Sequence, residues 1–245
     1  MTRIVIDLSN LAYISLYGVV GYGEREYSKK AFQAICDNKI KAIVKASNAS
    51  SVVFAKDNYP KRKELDANYK ATRHKCEYPI KQDLIDLLLK KGVKIYEAKD
   101  KEADDVMATL LRTKQVDCIV TTDQDLLQAA ESGKNVFNPV TMSFWDKERL
   151  MKKYKLEKFK DILWYKSFFG DSSDNIPKCG DRIPRQKIAD IINAHKFHNW
   201  KELRHQLKKL PCYDKIDFSR IKLNYKLVKL DSHCKLNLVK KEKRK

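Results

Sequence analysis

Short apolar runs of four to six residues alternate with stretches of helical period through the first half of the chain, and this alternation restricts the fold more than any other feature. Strands that are apolar on both faces belong inside a parallel sheet covered by helices. The predicted strands are Ile4 to Asp7, Val52 to Asp57, Val93 to Glu97, Cys118 to Thr122 and Val136 to Phe137. Between them the spacing predicts helices at about Ser28 to Ala46, Ile80 to Lys91, Glu102 to Thr113 and Asp125 to Glu131. Gly92 and Gly133 stand where left-handed C-terminal caps are expected. After Pro139 the strand signals stop, and five helices are predicted: Lys147 to Tyr154, Lys158 to Phe169, Arg185 to Ala194, Trp200 to Leu210 and Phe218 to Leu230. The expected organisation is therefore an α/β domain over residues 1–140, a helical subdomain over 141–235 and a basic tail over 236–245. Residues 58–78, charged and Tyr-rich, fit neither pattern, and an irregular stretch of that length is usually functional.

Charge narrows the partner. The chain carries 51 Lys and Arg against 32 Asp and Glu, a formal net charge of +19, which favours a polyanion such as nucleic acid. The excess is concentrated toward the C-terminus: residues 201–245 hold 15 basic and 5 acidic side chains. With 43% hydrophobic residues the chain can bury a core, and no apolar run approaches the roughly 18 residues of a membrane span. The start lacks the pattern of an export signal, and six scattered cysteines do not form the close pairs of a zinc ribbon or disulfide framework, so a reducing cytoplasm is expected.

Against that basic background the acids have a pattern. In an open α/β sheet, ligands bind beyond the carboxyl ends of the strands. Three predicted strands end at, or just before, an acid: Asp7, Asp57, and Asp123 with Asp125. The third strand leads into Glu102, Asp104 and Asp105, and Asp171 and Asp174 follow a helix in the second half. Any one of these acids could be a cap or turn residue. Gathered at one edge they would repel one another and resist desolvation, so a cation is expected among them. A set of carboxylates without His or Cys suits Mg²⁺ or Mn²⁺ rather than zinc, and a large set can hold two or more ions, as in phosphoryl-transfer sites. An acidic centre within a basic surround reads as a nuclease.

The segments Ile6-Asp7-Leu8-Ser9-Asn10, Val53 to Asp57, Lys63 to Arg73, Glu102-Ala103-Asp104-Asp105, Thr121 to Asp125 and Gly170 to Pro177 occur in an order that resembles the 5′-nuclease superfamily. That family includes flap endonucleases, the 5′ nuclease domain of bacterial DNA polymerase I and the compact bacteriophage 5′ exonucleases. The resemblance implies a PIN-like parallel-sheet nuclease domain with helices on both faces, and a helical subdomain with a helix-turn-helix-like duplex-binding element. It implies a first metal site at Asp7, Asp57, Glu102, Asp104 and Asp105, and a second at Asp123, Asp125, Asp171 and Asp174. Asp104 and Asp123 would stand closest to the chemistry. Residues 58–78 occupy the place of the family's basic arch over single-stranded 5′ ends. There Lys70 and Arg73, on one helix face, would neutralise the scissile phosphate, with Arg62 as a phosphate contact and Tyr69 either stacking on an unpaired base or packing against the arch's own helix.

One departure concerns the family's Gly-rich turn, which often holds a monovalent cation. Here Lys178 to Lys187 contain a single glycine, Gly180, which argues against a K⁺ site and moves duplex contact to Lys178, Arg182, Arg185 and Lys187. The activity implied is a metal-dependent 5′ to 3′ exonuclease or flap endonuclease on branched DNA and RNA–DNA hybrids, as in primer removal during replication. The expected protein is a monomer working with replication proteins in the cytoplasm, the host's if the source is a phage. The alternatives are a PIN-type ribonuclease, which lacks the arch-like insert and helical half, and a non-catalytic structure-specific DNA-binding protein, which has no electrostatic reason to keep repelling acids.

Overall fold

The computed structural model describes residues 2–20, 26–58, 61–72, 76–180 and 182–240. The first half runs β1 (Thr2–Asp7), α1 (Leu8–Val20), α2 (Lys29–Ser47), β2 (Ala49–Ala55), α3 (Arg62–Leu65), α4 (Ile80–Lys90), β3 (Ile95–Glu97), α5 (Ala103–Arg112), β4 (Cys118–Val120) and β5 (Val136–Asn138). Then come β6 (Ser143–Phe144), α6 (Lys147–Tyr154), α7 (Ile162–Phe169), α8 (Arg185–Ala194), α9 (Trp200–Leu207), α10 (Phe218–Val228) and β7 (Asn237–Leu238). The described strands form one sheet in the order β6-β5-β4-β1-β2-β3-β7. β1 to β5 pair in parallel, and β6 and β7 close the two edges antiparallel.

The period of two in the central strands sorts side chains between two cores. Ile4, Ile6, Phe54, Cys118 and Val120 pack with α1, α2 and α4 on one face. Val5, Ala55 and Ile119 meet Val106, Met107 and Leu110 of α5 on the other. Burial on both faces makes these runs apolar throughout, as a parallel sheet requires. The helical half has a third core, built from residues such as Trp164, Phe168, Ile188 and Leu203, which also takes in Leu127 and Val136 from before Pro139.

Three features depart from the sequence reading. Helix α1 was not expected, because Leu8–Val20 is apolar on nearly every side and shows no clean stripe. The predicted helix over 125–131 is a short 3₁₀ segment, Asp125–Ala129. Strand signals also do not end at Pro139: β6 and β7, of two residues each, add edge strands too short to leave a period, and β7 draws residues 237–238 of the basic tail into the sheet.

In the arch-like segment, α3 spans one turn, and Lys70 sits in a turn with φ of 56°, a left-handed conformation. Lys70 therefore does not share a helix face with Arg73, as the sequence reading had it; Arg73 lies outside the described residues.

Candidate active site

The carboxyl edge of the sheet opens onto a cleft of about 970 Å³, lined among others by Asp7, Asp57, Asp123 and Asp171. Each arrives by a different route. Asp7 is the last residue of β1, where α1 begins, and its Oδ1 accepts from the Asn10 amide (2.9 Å). Asp57 follows β2, and it accepts from the Ser9 hydroxyl (2.7 Å) and the Ala103 amide (3.0 Å). Asp123 follows β4, and its Oδ1 accepts from the Asp125 amide (2.9 Å).

Asp171 is delivered by Gly170. That glycine has φ of 69° and ψ of −166°, and a Cβ built there would lie 2.2 Å from the Ile176 carbonyl oxygen. Only glycine tolerates this backbone and this approach. The turn is then closed by paired Asp171 and Ile176 backbone hydrogen bonds of 2.8 Å.

The charges of these acids are strained together. Burial, followed by the repulsion of Asp57, pushes Asp7 up to about 7. Burial and the charges of Asp123 and Asp7 push Asp104 well above the carboxylate range. Asp125 also rises to about 7, through burial first. Asp57 goes the other way: burial raises it, but the Ala103 amide, Lys81 and the Ser9 hydroxyl together outweigh burial and bring it below its usual range. Buried acids that depress one another's ionisation are a strained arrangement that a cation would relieve.

Among the described residues, no three His, Cys, Asp or Glu groups are drawn close enough to form a ready-made metal cage. The carboxylates instead surround an open cleft. Hard oxygen donors around free volume fit an ion that keeps much of its water and takes few protein ligands, which is the habit of Mg²⁺.

Other predicted site acids face protein cations. Glu102 ion-pairs with Arg62 and, at 2.7 Å, with Lys70, while the Tyr69 hydroxyl donates to it at 3.1 Å. Burial raises Glu102, but Lys70 and Arg62 bring it below its usual range. Asp105, 2% exposed, binds Arg62 at 2.6 Å and accepts from the amides of Glu102 (3.3 Å) and Asp231 (2.8 Å). It is a brace at the foot of α5, not a ligand facing the cleft. Asp174 lies 3.6 Å from the Lys70 ammonium, and its carbonyl accepts from the Lys70 amide at 2.9 Å.

Two nucleic-acid contacts expected from the sequence are corrected by burial. Tyr69 is 3% exposed and packs with Ile176, Leu227 and Val228, so it offers no ring face to a base. The Arg62 side chain is 12% exposed and directs its donors to Glu102, Asp105 and the Lys229 carbonyl, so it is held by protein groups rather than presented to a phosphate. Lys178, Arg182 and Lys187 are exposed, in the loop between α7 and α8 and on α8 itself, and Arg185 lines the cleft. Gly180 packs against Ile183 and Phe168, where a Cβ would be 2.9 Å from the Ile183 Cδ1.

The cleft residues that sequence reasoning missed include Tyr13, Lys81, Lys153 and Lys166. Tyr13 is the exposed aromatic at the cleft, with the Lys81 ammonium 6.0 Å from its ring centre. Lys166 is 7% exposed, ion-paired with Asp125 and bonded to Asp171 at 2.6 Å. Its signal was available: it is the one charge in the apolar run Ile162–Phe169, and a buried lysine almost always has a carboxylate partner.

Residues 2–155 match the family model described as 5′-3′ exonuclease, N-terminal resolvase-like domain. A 5′-3′ exonuclease of Aquifex aeolicus is 30% identical over 204 residues, covering 76% of this chain and 66% of that protein. DNA polymerase I of Borreliella burgdorferi is 28% identical over 214 residues, and the matched region is 23% of its length. Thus the chain spans just under two thirds of the first relative and about a quarter of the second.

Among solved structures, the bacteriophage T5 5′-exonuclease with bound divalent metal ions (zinc) superposes with a TM-score of 0.70 at 19% identity, over 96% of this chain and 91% of that one. The T5 flap endonuclease in a pseudo-enzyme–product complex with DNA and metal ions gives 0.66 at 20% identity, over 95% and 89%. At such identities the structures bear on the fold. The family match over most of the chain, with an acid-lined cleft at the sheet's carboxyl edge, places this protein in the 5′-3′ exonuclease family, within the 5′-nuclease superfamily.

Proposed function

We propose that the protein is a divalent-metal-dependent 5′ nuclease, exonuclease and flap endonuclease in one site, that hydrolyses phosphodiesters near the 5′ ends of branched DNA and RNA–DNA hybrids. Its expected setting is primer removal in the cytoplasm, as a monomer beside replication proteins. The observation that carries this reading is the cleft into which Asp7, Asp57, Asp123 and Asp171 converge, with Asp7 held far above its usual range by burial and by the charge of Asp57. The donor set suits Mg²⁺ or Mn²⁺, with two or more ions expected. When bound, such ions supply Lewis-acid stabilisation of the phosphoryl charge and activation of the attacking water.

The chain's own residues do the rest. Asp7, Asp57, Asp104 and Asp123 would hold the first ion, and Asp123, Asp125, Asp171 and Asp174 the second. Glu102 and Asp105 act one step back, fixing Lys70 and Arg62 at the base of the arch. Lys70, tied by its amide to Asp174 and by its ammonium to Glu102, offsets the charge between the two acid groups, and Arg73 would extend this positive charge toward the phosphate. Lys81, Lys153 and Arg185 line the cleft and would steer the phosphate backbone into it, while Tyr13 can stack on an unpaired base. Lys178, Arg182 and Lys187 would hold the duplex beyond the cut.

End-labelled flap, nicked-duplex and RNA–DNA hybrid substrates incubated with Mg²⁺ test the proposal. Short products carrying a 5′-phosphate, abolished by EDTA, are expected. Cleavage that persists in EDTA, or ends of the opposite chemistry, would overturn it.

A further inference from the structure

The cleft contains a cation of its own. Lys166 comes from the last turn of α7, and its ammonium lies between Asp125 and Asp171, two of the four carboxylates that the proposed function gives to the second ion. The side chains are nearly sealed: Lys166 is 9% exposed, Asp125 10% and Asp171 15%. Lys166 donates a hydrogen bond to Asp171 Oδ2 at 2.6 Å and is in direct ion-paired contact with Asp125 Oδ1, which has no other hydrogen-bond donor among the described residues. Two buried carboxylates thus share one enclosed ammonium.

The acids attributed to the first ion are treated differently. Among the described residues no Lys or Arg forms an ion pair with Asp7, Asp104 or Asp123. Among the acids given to the first ion, Asp57 has a lysine partner, Lys81 at 3.5 Å on exposed side chains, whereas in the other group a buried ammonium already stands.

We infer that Lys166 is a built-in counter-ion of the second metal position, which must leave Asp125 before a second divalent ion is seated there and so sets that ion's affinity. The inference rests on the metal-dependent reading above. It makes Lys166 a positioning residue: in the metal-free chain it keeps Asp125 and Asp171 folded inward, and once displaced its long stem can carry the ammonium toward the phosphate side of the cleft. Occupancy of the second position would then be ordered after the first and weaker than it.

Manganese titration of the full-length chain, followed by the loss of the free-ion electron paramagnetic resonance signal, tests this without any turnover. The wild type should take up one ion tightly and a second weakly. In K166M the second step should tighten by about tenfold or more, because removing the ammonium leaves Asp125 and Asp171 with no other ion-paired cation among the described residues. K166R, which keeps the charge, should restore the weak second step. An unchanged or weaker second step in K166M would overturn the inference, whereas a wild type that binds no manganese at all would instead overturn the metal-dependent reading.

If K166M does not fold, the wild type still decides. Its Lys166 ammonium nitrogen resonance, assigned by its absence in K166R, should stay in place through the first equivalent of Mg²⁺ and move with the second. A resonance that ignores the second equivalent would sink the proposal.

Discussion

The two groups of carboxylates differ in how their charge is handled. Asp7, Asp104 and Asp123 are gathered by the strand ends and the foot of α5, and burial together with their mutual repulsion lifts Asp7 to about 7 and Asp104 well above the carboxylate range. Asp171 and Asp174 come from the helical half, and each has a lysine beside it: Lys166 for Asp171, shared with Asp125, and Lys70 for Asp174, shared with Glu102. One group is a strained site waiting for an external cation; the other is already neutralised from within. The distinction lies in the surroundings of the acids, since the residue type is the same.

The largest expected effect comes from attacking the strained group. Asp7→Asn should slow cleavage about a thousandfold or more, as losses of central charge-stabilising groups do, and yet raise the melting temperature of the metal-free protein, because a buried repelling charge is gone. A melt that falls instead would mean that Asp7 is not strained by its neighbours. Lys70→Ala attacks the neutralised group and should have the opposite stability sign. It leaves Glu102 and Asp174 buried beside fewer cations, a cost of about 3–5 kcal/mol in a denaturant melt. Lys70 would be only a substrate contact if stability were unchanged.

Two tyrosines sharpen the contrast between cleft and brace. Tyr13→Ala should weaken single-strand affinity by about 1–3 kcal/mol, the worth of one stacked base, with little change in stability. Tyr69→Phe should do the reverse, costing about 1 kcal/mol of stability through the lost hydrogen bond to Glu102 and leaving single-strand affinity alone. Fluorescence anisotropy with a labelled oligonucleotide, alongside melts, separates the outcomes.

The smallest effect is in pH. Asp7 and Asp125 ionise in the metal-free fold only near 7, above their ordinary value of 3.8. Groups raised on folding stabilise fully below the unfolded value and lose that contribution as pH rises through the folded one. The metal-free melting temperature should therefore fall by a few degrees between about pH 5 and about pH 8, and saturating Mg²⁺ should flatten or reverse the trend. The same downward slope with and without Mg²⁺ would separate these acids from metal binding.

Much of this was legible in the sequence because it depends on period and on strand ends. The apolar runs at Ile4, Val53 and Ile119 could only be interior strands, and their closing acids could only fall at one edge. Contacts made across long separations left no local mark. Nothing near Tyr69 announces that Leu227 and Val228 will cover it, and nothing near Arg62 announces Glu102 and Asp105. Basic side chains in an acidic fold edge were read as free to bind phosphate, but a lysine or arginine beside a buried carboxylate is held by it first. Lys166 did leave a mark, a single charge within an apolar helix, but nothing local names Asp125 as its partner.

The strap that follows α10 has a practical corollary. Lys229 accepts from Arg62 at 3.0 Å, Asp231 bridges Lys101 (2.8 Å) and Asp105, Ser232 accepts from Arg112 at 2.6 Å, and β7 then pairs with β3. Tension applied beyond residue 240 is therefore transmitted to the arch footing rather than lost in a loose end. An affinity handle or fusion partner attached there is mechanically wired to the acid-lined cleft, and a surface-tethered sample should be anchored through some other part of the molecule.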